Sequence, residues 1–365
     1  MNIGIPREHR PFEHRVGMAP RGLQLLTQHG HTCYVEHDAG LGSGFSDEDF
    51  EKAGARIVFS PQEAFLRGDL VLKVQRPTDQ EIEWLGEGQI LAGYLLLPSA
   101  RRSKVTMLME RGVTAVSYEL IESPDGDLPV MKPLSQIGGR LCAQIAAHCL
   151  ENGAGGKGIL LGGVAGVPPA DVVIIGAGTV GLEAAGAFLG VGASVHVLDM
   201  DLRRLQQVDE KFGGRVVTMV AYPFNVARCC SFADVLVSCV RVPARRAPLV
   251  VTREMVRQMR PRSLIMDLSI DEGGSVETSR PTHHDQPTYV EERVIHYCVP
   301  NMPSAVARTA THAFLNAAWP YIQMLAERGV APSMIKSPAL AKGVTIHDGK
   351  ILDYRLAEQY QMEAR

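Results

Sequence analysis

At 365 residues the chain is too long for one small domain, and two domains are the expectation from length. Its 45% apolar and 21% charged content fits a globular protein in water, and a net charge of −3 excludes a general affinity for nucleic acid or an anionic membrane surface. The seven cysteines are scattered, odd in number and without CxxC or His/Cys ligand spacing, so neither a disulfide framework nor a metal centre is expected. No signal peptide and no apolar run long enough to span a bilayer is read, which predicts a reduced, cytoplasmic protein.

In chain order, residues 2–5 read as a short strand. Residues 20–30 read as a helix opened by Pro20 and stopped by Gly30, and 31–36 as a strand. Ser46-x-x-Asp49 has the spacing of a capping box. Strands follow at 70–74, 89–94 and 113–117 with helices between them, the alternation of a parallel sheet covered on both faces. Residues 136–152 form a long, largely apolar helix expected to bridge two domains, and a glycine-rich loop runs from Gly153 to Gly166. Later strands are expected at 235–239, 264–267 and 294–298. A second long helix covers 304 to about 326, and one or two short helices follow in the tail. The fold class is therefore α/β: two doubly wound parallel-sheet, Rossmann-like domains joined by long helices with a cleft between them. Ligands are expected at the carboxyl ends of the strands.

The strongest local signal lies at 171–199. The apolar run 172–175 reads as a buried parallel strand that leads into Gly176-x-Gly178-x-x-Gly181, a small-residue helix and a second strand ending on Asp199. Gly176 permits the tight turn, Gly178 lets the backbone approach a pyrophosphate, and Gly181 lets helix and strand pack closely. The helix N-terminus offers N–H groups and a positive dipole end to the phosphates. Asp199 stands where a carboxylate accepts the adenosine ribose hydroxyls, which favours NAD over NADP; Arg203 and Arg204 just beyond it pull the other way.

With these segments placed, the chain resembles the alanine dehydrogenase family, which includes the nicotinamide-binding subunit of proton-translocating transhydrogenase. The resemblance runs from Met1 to about Tyr354. It rests on IGIPRE with Arg15, Val16 and Pro20, on GHTCYVEHDAGLGSGFSDEDF, on Lys73-Val74, and on GQIL at 88–91. Further along it rests on GILLGGVAGVPPADVVIIGAGTVG, DLSIDEGGSVETSRPTHHDQPTY and VPNMPSAVARTATHAFLNA. It implies a substrate domain made of residues 1–130 plus 308–365, an NAD-binding domain of 131–307, and self-association as a homohexamer or dimer. The lack of membrane spans disfavours the transhydrogenase reading. The cofactor set implied is Gly176, Gly178, Thr179, Val180, Gly181, Asp199, Met200, Arg204 and Val240, with Asp271 and Asn301 beside the nicotinamide.

The reaction that the resemblance implies, L-alanine to pyruvate and ammonia with hydride passed to NAD, needs a carboxylate anchor, a cation at the keto or imino carbon and a group that moves protons. The anchor is present as Arg15. The family's KVKEP is here Lys73-Val74-Gln75-Arg76-Pro77, so Gln75 replaces the motif lysine. The family's YLHLA is here Tyr94-Leu95-Leu96-Leu97-Pro98, so Leu96 replaces the motif histidine. Gln75 cannot titrate, and Leu96 can neither donate nor titrate. Lys73 shares a strand face with Gln75 but sits one repeat away; since the family also has it, a structural role is preferred.

Elsewhere LLAPMSEVAGR is here Val130 to Arg140, which introduces Lys132 and replaces a carboxylate by Gln136. Met131 and Leu134 flank Lys132 in the stretch that lines the family's substrate pocket, with Tyr94 and Asn301 as further substrate contacts. DQGG is here Asp271-Glu272-Gly273-Gly274. Asp271 is the surviving proton donor or acceptor, Lys132 a candidate replacement cation and Gln75 a candidate polar group at the reacting centre; His14 is a further titrating group, read as a surface histidine. Three functional readings follow. The first is an NAD-dependent oxidoreductase acting on the C–N bond of a carboxylate-bearing amino or imino acid other than alanine, bulkier or less polar, with imine reduction needing only hydride and one proton. The second is a catalytically silent NAD-binding homologue with a regulatory or accessory role. The third is a genuine L-alanine dehydrogenase with rerouted acid–base groups.

Overall fold

The computed structural model describes residues 1–242 and 246–362. The chain divides into two compact units, Met1–Leu134 with Ser304–Arg365, and Ser135–Pro303. The first unit opens with β1 (Asn2–Ile5), β2 (Thr32–Glu36), β3 (Arg56–Val58), β4 (Leu70–Gln75), β5 (Ile90–Tyr94) and β6 (Thr114–Ser117). The second holds β7 (Asp171–Ile175), β8 (Ser194–Asp199), β9 (Val217–Val220), β10 (Val235–Ser238), β11 (Leu264–Asp267), β12 (Thr288–Glu291) and β13 (Val294–Tyr297). The chain then returns to the first unit with β14 (Val344–His347) and β15 (Lys350–Ile351).

The first sheet has the order β15-β14-β6-β5-β4-β1-β2-β3 and the second β12-β13-β11-β10-β7-β8-β9. Both are mostly parallel with antiparallel pairs at one edge, β14 against β6 and β15, and β12 against β13. The parallel strands are apolar runs because helices cover the sheets. Val172, Val173, Ile174 and Ile175 in β7, and Leu70, Val71 and Leu72 in β4, are all essentially inaccessible. The strand order reverses between β1 and β4 in one sheet and between β7 and β10 in the other. Chain segments leaving such neighbours diverge to opposite sides and open a crevice at the carboxyl ends of the strands.

Local signals act as read at several points. Pro20 stands at the start of the helix Pro20–Gln28, and Ser46 and Asp49 form a reciprocal capping box. Others differ. The bridging helix is Lys132–Cys149 rather than 136–152, because Pro133 sits in its first turn, where a missing N–H leaves no bond unmade. The second long helix is Ala307–Arg328, entered through a 3-10 turn at Met302–Val306. The tail, expected to be helical only, adds β14 and β15 to the first sheet; strands this short carry no readable period.

Candidate active site

In the first unit, Arg15, Gln75 and Leu96 follow or end β1, β4 and β5, three adjacent strands. Arg15 is buried, and its partner is Glu13. Nε lies 2.8 Å from Glu13 Oε1 and Nη2 2.6 Å from Oε2, a two-point grip. Glu13 Oε2 also accepts from the Gln75 amide at 3.0 Å. Burial pushes the Glu13 carboxyl up, but the Arg15 guanidinium and the hydrogen bonds from Arg15 and Gln75 outweigh it and hold it below the usual range. Glu13, Arg15 and Gln75 thus form a cluster whose formal charges cancel.

Lys73 is turned into a different buried network. Its ammonium lies 2.8 Å from Glu81 Oε1 and 3.2 Å from Glu8 Oε2, all three side chains being almost fully covered. Glu8 Oε1 accepts the N–H groups of Val74 and Gln75 at 2.6 and 3.3 Å, so this network fixes the end of β4 that carries Gln75. Burial raises the Glu8 carboxyl despite Lys73. Burial would lower the Lys73 ammonium, but the two carboxylates raise it overall. Lys73 therefore stays charged, held between acids.

Leu96 has φ of 44°, a left-handed backbone that a branched aliphatic residue rarely adopts. Its N–H donates to Glu119 Oε1 at 2.7 Å and its carbonyl accepts from Arg76 Nη1 at 2.7 Å, and these two bonds pin the corner. Tyr94 is buried and its hydroxyl donates to the Val130 carbonyl at 2.7 Å. Leu134 is buried and Met131 half-buried. Lys132 is exposed, with both oxygens of Asp127 at 3.0 Å from its ammonium. Within its own unit it faces a surface carboxylate rather than the Arg15 cluster. His14 is exposed.

In the second unit the glycine motif lies between β7 and the helix Thr179–Gly190. Gly176 has φ of 107°, and a Cβ there would meet the Cys239 carbonyl at 2.8 Å. A Cβ on Gly181 would stand 1.8 Å from the Gly176 carbonyl oxygen. These two glycines are demanded by the packing of the chain itself. Gly178 is not: a Cβ there meets nothing within 4 Å. The open space lies at the N-cap of the helix, where no side chain caps the first-turn N–H groups. Thr179 and Val180 form the first helical positions, half-covered. An open approach to uncapped N–H groups fits a dinucleotide pyrophosphate.

Asp199 closes β8. Its Oδ2 accepts the Ala177 N–H at 2.6 Å and Oδ1 the Asp201 N–H at 2.8 Å, so the carboxylate is fixed beside the glycine turn. Arg204 Nη1 stands 3.8 Å from it, whereas Arg203 is held by Asp201. Met200 is exposed just beyond. Val240, after β10, accepts the Ser269 hydroxyl at 2.8 Å. Asp271 is exposed on a 3-10 turn after β11, and its Oδ2 accepts the Asn301 N–H at 3.2 Å. Asn301 follows β13 with φ of 54°. Next to Asp271, burial raises the Glu272 carboxyl while Arg241, 2.6 Å away, opposes it.

Sequence reasoning missed Glu13, Glu119 and Arg76. Glu13 is two positions before Arg15, the one readable signal. Glu119 reaches Leu96 across adjacent strand ends, which no spacing reveals. Arg76 directly follows Gln75, and its charge is the readable signal.

The model of the alanine dehydrogenase/PNT N-terminal domain matches residues 4–138, and that of the C-terminal domain matches residues 142–354. The chain belongs to the alanine dehydrogenase/PNT family. Members named alanine dehydrogenase include one from Methanococcus maripaludis, 43% identical over 99% of this chain and 97% of the relative. Another, from Mycobacterium tuberculosis, is 42% identical over 98% of this chain and 96% of its own. A solved structure of an L-alanine dehydrogenase superposes with a TM-score of 0.94 at 42% identity, covering 99% of both chains. Membership extends over both units, with Gln75 and Leu96 inside the range matched by the N-terminal domain model.

Proposed function

We propose that this family member is an NAD-dependent oxidoreductase acting at the C–N bond of a carboxylate-bearing amino or imino acid other than alanine. NAD, when bound, supplies the hydride acceptor, and its reduced form the donor. The observation that carries the reading is the pairing of a retained Arg15 with Gln75, whose amide is spent on Glu13, and with an aliphatic Leu96. Deamination through water needs a group to activate that water and a cation to polarise the carbon. Neither Gln75 nor Leu96 can titrate. Reduction of a preformed imine needs one proton and no activated water, which makes the loss of both groups tolerable.

Under this reading Arg15, oriented by Glu13, takes the α-carboxylate. Gln75 supplies hydrogen bonding without charge, and Leu96 an apolar contact. Asp271, braced by the Asn301 N–H, moves the proton. Gly178 and the first turn of Thr179–Gly190 take the pyrophosphate, and Asp199 takes the ribose. The fixed Asp199 carboxylate favours NAD over NADP, whose 2′-phosphate it would repel.

One observation favours a second reading, a true L-alanine dehydrogenase: identity of 42–43% over almost the whole length of relatives that carry that name. NADH oxidation decides between them, with pyruvate plus ammonia run beside bulkier keto acids with amines and beside cyclic imines. Activity confined to the bulkier or imine substrates supports the first reading, and pyruvate as the best substrate establishes the second. Tight NADH binding with no turnover on any substrate overturns both and leaves a cofactor-binding protein without catalysis.

A further inference from the structure

Arg10 and Arg76 lie beyond the carboxyl ends of β1 and β4, the two strands between which the order of the first sheet reverses. Arg10 Nε donates to the Arg76 carbonyl at 3.1 Å, and Arg76 Nη1 to the Leu96 carbonyl at the end of β5. Both side chains are half-buried. Among the described residues neither forms an ion pair. The neighbouring carboxylate, Asp79, is already taken by Arg101 and Lys104, each at 2.9 Å. Glu119 faces Arg76 across Leu96, with Oε1 engaged by the Leu96 N–H.

Three cations, Arg10, Arg101 and Lys104, therefore gather round Asp79, and Arg76 adds its charge to Arg10 and Lys104. The crowding shows at Arg76 and Lys104. Burial lowers the Arg76 guanidinium and Arg10 lowers it further, against a smaller opposing effect of Tyr360 and Glu119. Burial lowers Lys104, and Arg10 and Arg76 add to the effect against Asp79. Like charges partly removed from water are unfavourable until an anion joins them. The sequence sharpens the point. Where the family motif has a lysine followed by an acid, this chain has Gln75 followed by Arg76. The positive charge stands one residue further on, just past the end of β4, outside the neutral Glu13–Arg15–Gln75 cluster and on a guanidinium suited to two-point carboxylate binding.

We propose that Arg76, assisted by Arg10, receives a second acidic group of the substrate, so that the substrate class is amino or imino acids bearing a side-chain carboxylate. This rests on the function proposed above, with Arg15 taking the α-carboxylate. The fold supplies the setting, since ligands of open α/β sheets collect at the carboxyl ends where strand order reverses.

The test is calorimetric titration of the full chain in the presence of NADH with succinate, butyrate and inorganic phosphate. Succinate is expected to bind at least about tenfold more tightly than butyrate. Arg76→Gln and, separately, Arg10→Gln should each remove most of that preference, and Arg76→Lys should keep part of it. Equal affinity for succinate and butyrate, or a preference that survives both glutamine variants, overturns the proposal and leaves Arg76 as a structural clamp on Leu96. Phosphate binding as tightly as succinate also overturns it, in favour of a general oxyanion site. Turnover is measured separately with pyruvate, oxaloacetate and 2-oxoglutarate plus ammonia. If none reacts while the Arg76-dependent succinate preference stands, the catalytic reading fails and the binding proposal survives.

Discussion

The Gln75 amide donates to Glu13 Oε2 at 3.0 Å, and the same oxygen is 2.6 Å from the Arg15 guanidinium. One carboxylate thus serves both Arg15, proposed above as the carboxylate anchor, and Gln75. A lysine at 75 would bring a second cation to Glu13 and give the cluster a net positive charge; glutamine leaves it neutral.

That difference can be reversed. Gln75→Lys combined with Leu96→His is expected to raise alanine-dependent NADH formation at least about tenfold over the unsubstituted chain, since one general acid–base group alone contributes ~10²–10⁴-fold. Each single substitution should give less than the pair. Alanine turnover in the unsubstituted chain that the pair does not improve would show that other residues already perform both tasks.

The three motif glycines are separable by experiment. Gly181→Ala places a methyl 1.8 Å from the Gly176 oxygen and should reduce stability and yield. Gly178→Ala meets no protein atom within 4 Å and has an ordinary φ of −72°, so the melting temperature without cofactor should be nearly unchanged. NADH affinity, followed by fluorescence titration, should nevertheless fall about tenfold or more, because the methyl occupies the approach to the pyrophosphate. Unchanged NADH binding in Gly178→Ala would place the phosphates elsewhere.

Asp271→Asn keeps the size and the acceptor for the Asn301 N–H but removes the titrating proton. Turnover on the best substrate should drop ~10²-fold or more with little change in NADH affinity. For imine reduction, where Asp271 gives up the proton, the alkaline limb of the pH–rate profile should shift or vanish with it. An unaltered rate would remove Asp271 from the reaction.

The Glu8–Lys73–Glu81 network predicts the pH dependence of folding. The Glu13 and Glu81 carboxyls are held below their ordinary 4.5, so their contribution is complete above that value and is lost as the pH falls through the folded-state values. Glu8 is raised, so its contribution is complete below 4.5 and is lost as the pH rises through its folded-state value. Melting temperature should therefore fall on acidification below 4.5, and Glu8→Gln should flatten the slope above it. Lys73→Met leaves two buried carboxylates without their cation and should cost about 3–5 kcal/mol, measurable by urea unfolding. A loss below about 1 kcal/mol would mean that the acids are neutral in the folded chain.

Much of the second unit could be read from the sequence because its signals are local. The strand, the three glycines, the helix and Asp199 fall within one short stretch, and each has a backbone reason to be where it is. In the first unit the strands are legible in the sequence and the polar wiring is not. Lys73 could be set aside as structural, yet nothing in the spacing showed that it would lie between Glu8 and Glu81, since Glu8 arrives from the neighbouring β1 segment. Glu119 holding Leu96, and Arg76 holding the same residue from the other side, depend on β4, β5 and β6 lying side by side. Lys132 looked like a replacement cation from its place near Met131 and Leu134. Only coordinates show its ammonium facing Asp127. β14 and β15 escaped notice because they are too short for alternation to register and too far from β6 for any local rule to connect them.

Those last strands have a consequence for biogenesis. β14 joins β6 through Val344 opposite Val116, so the edge of the first sheet is completed by residues translated long after the rest of it. During translation the whole of Ser135–Pro303 emerges while β6 still presents an unpaired edge. The inserted unit can reach its native state co-translationally, whereas the flanking one must wait for β14. A nascent chain stalled before β14 therefore carries an open strand edge, the kind of surface that chaperones cover and that templates misassembly.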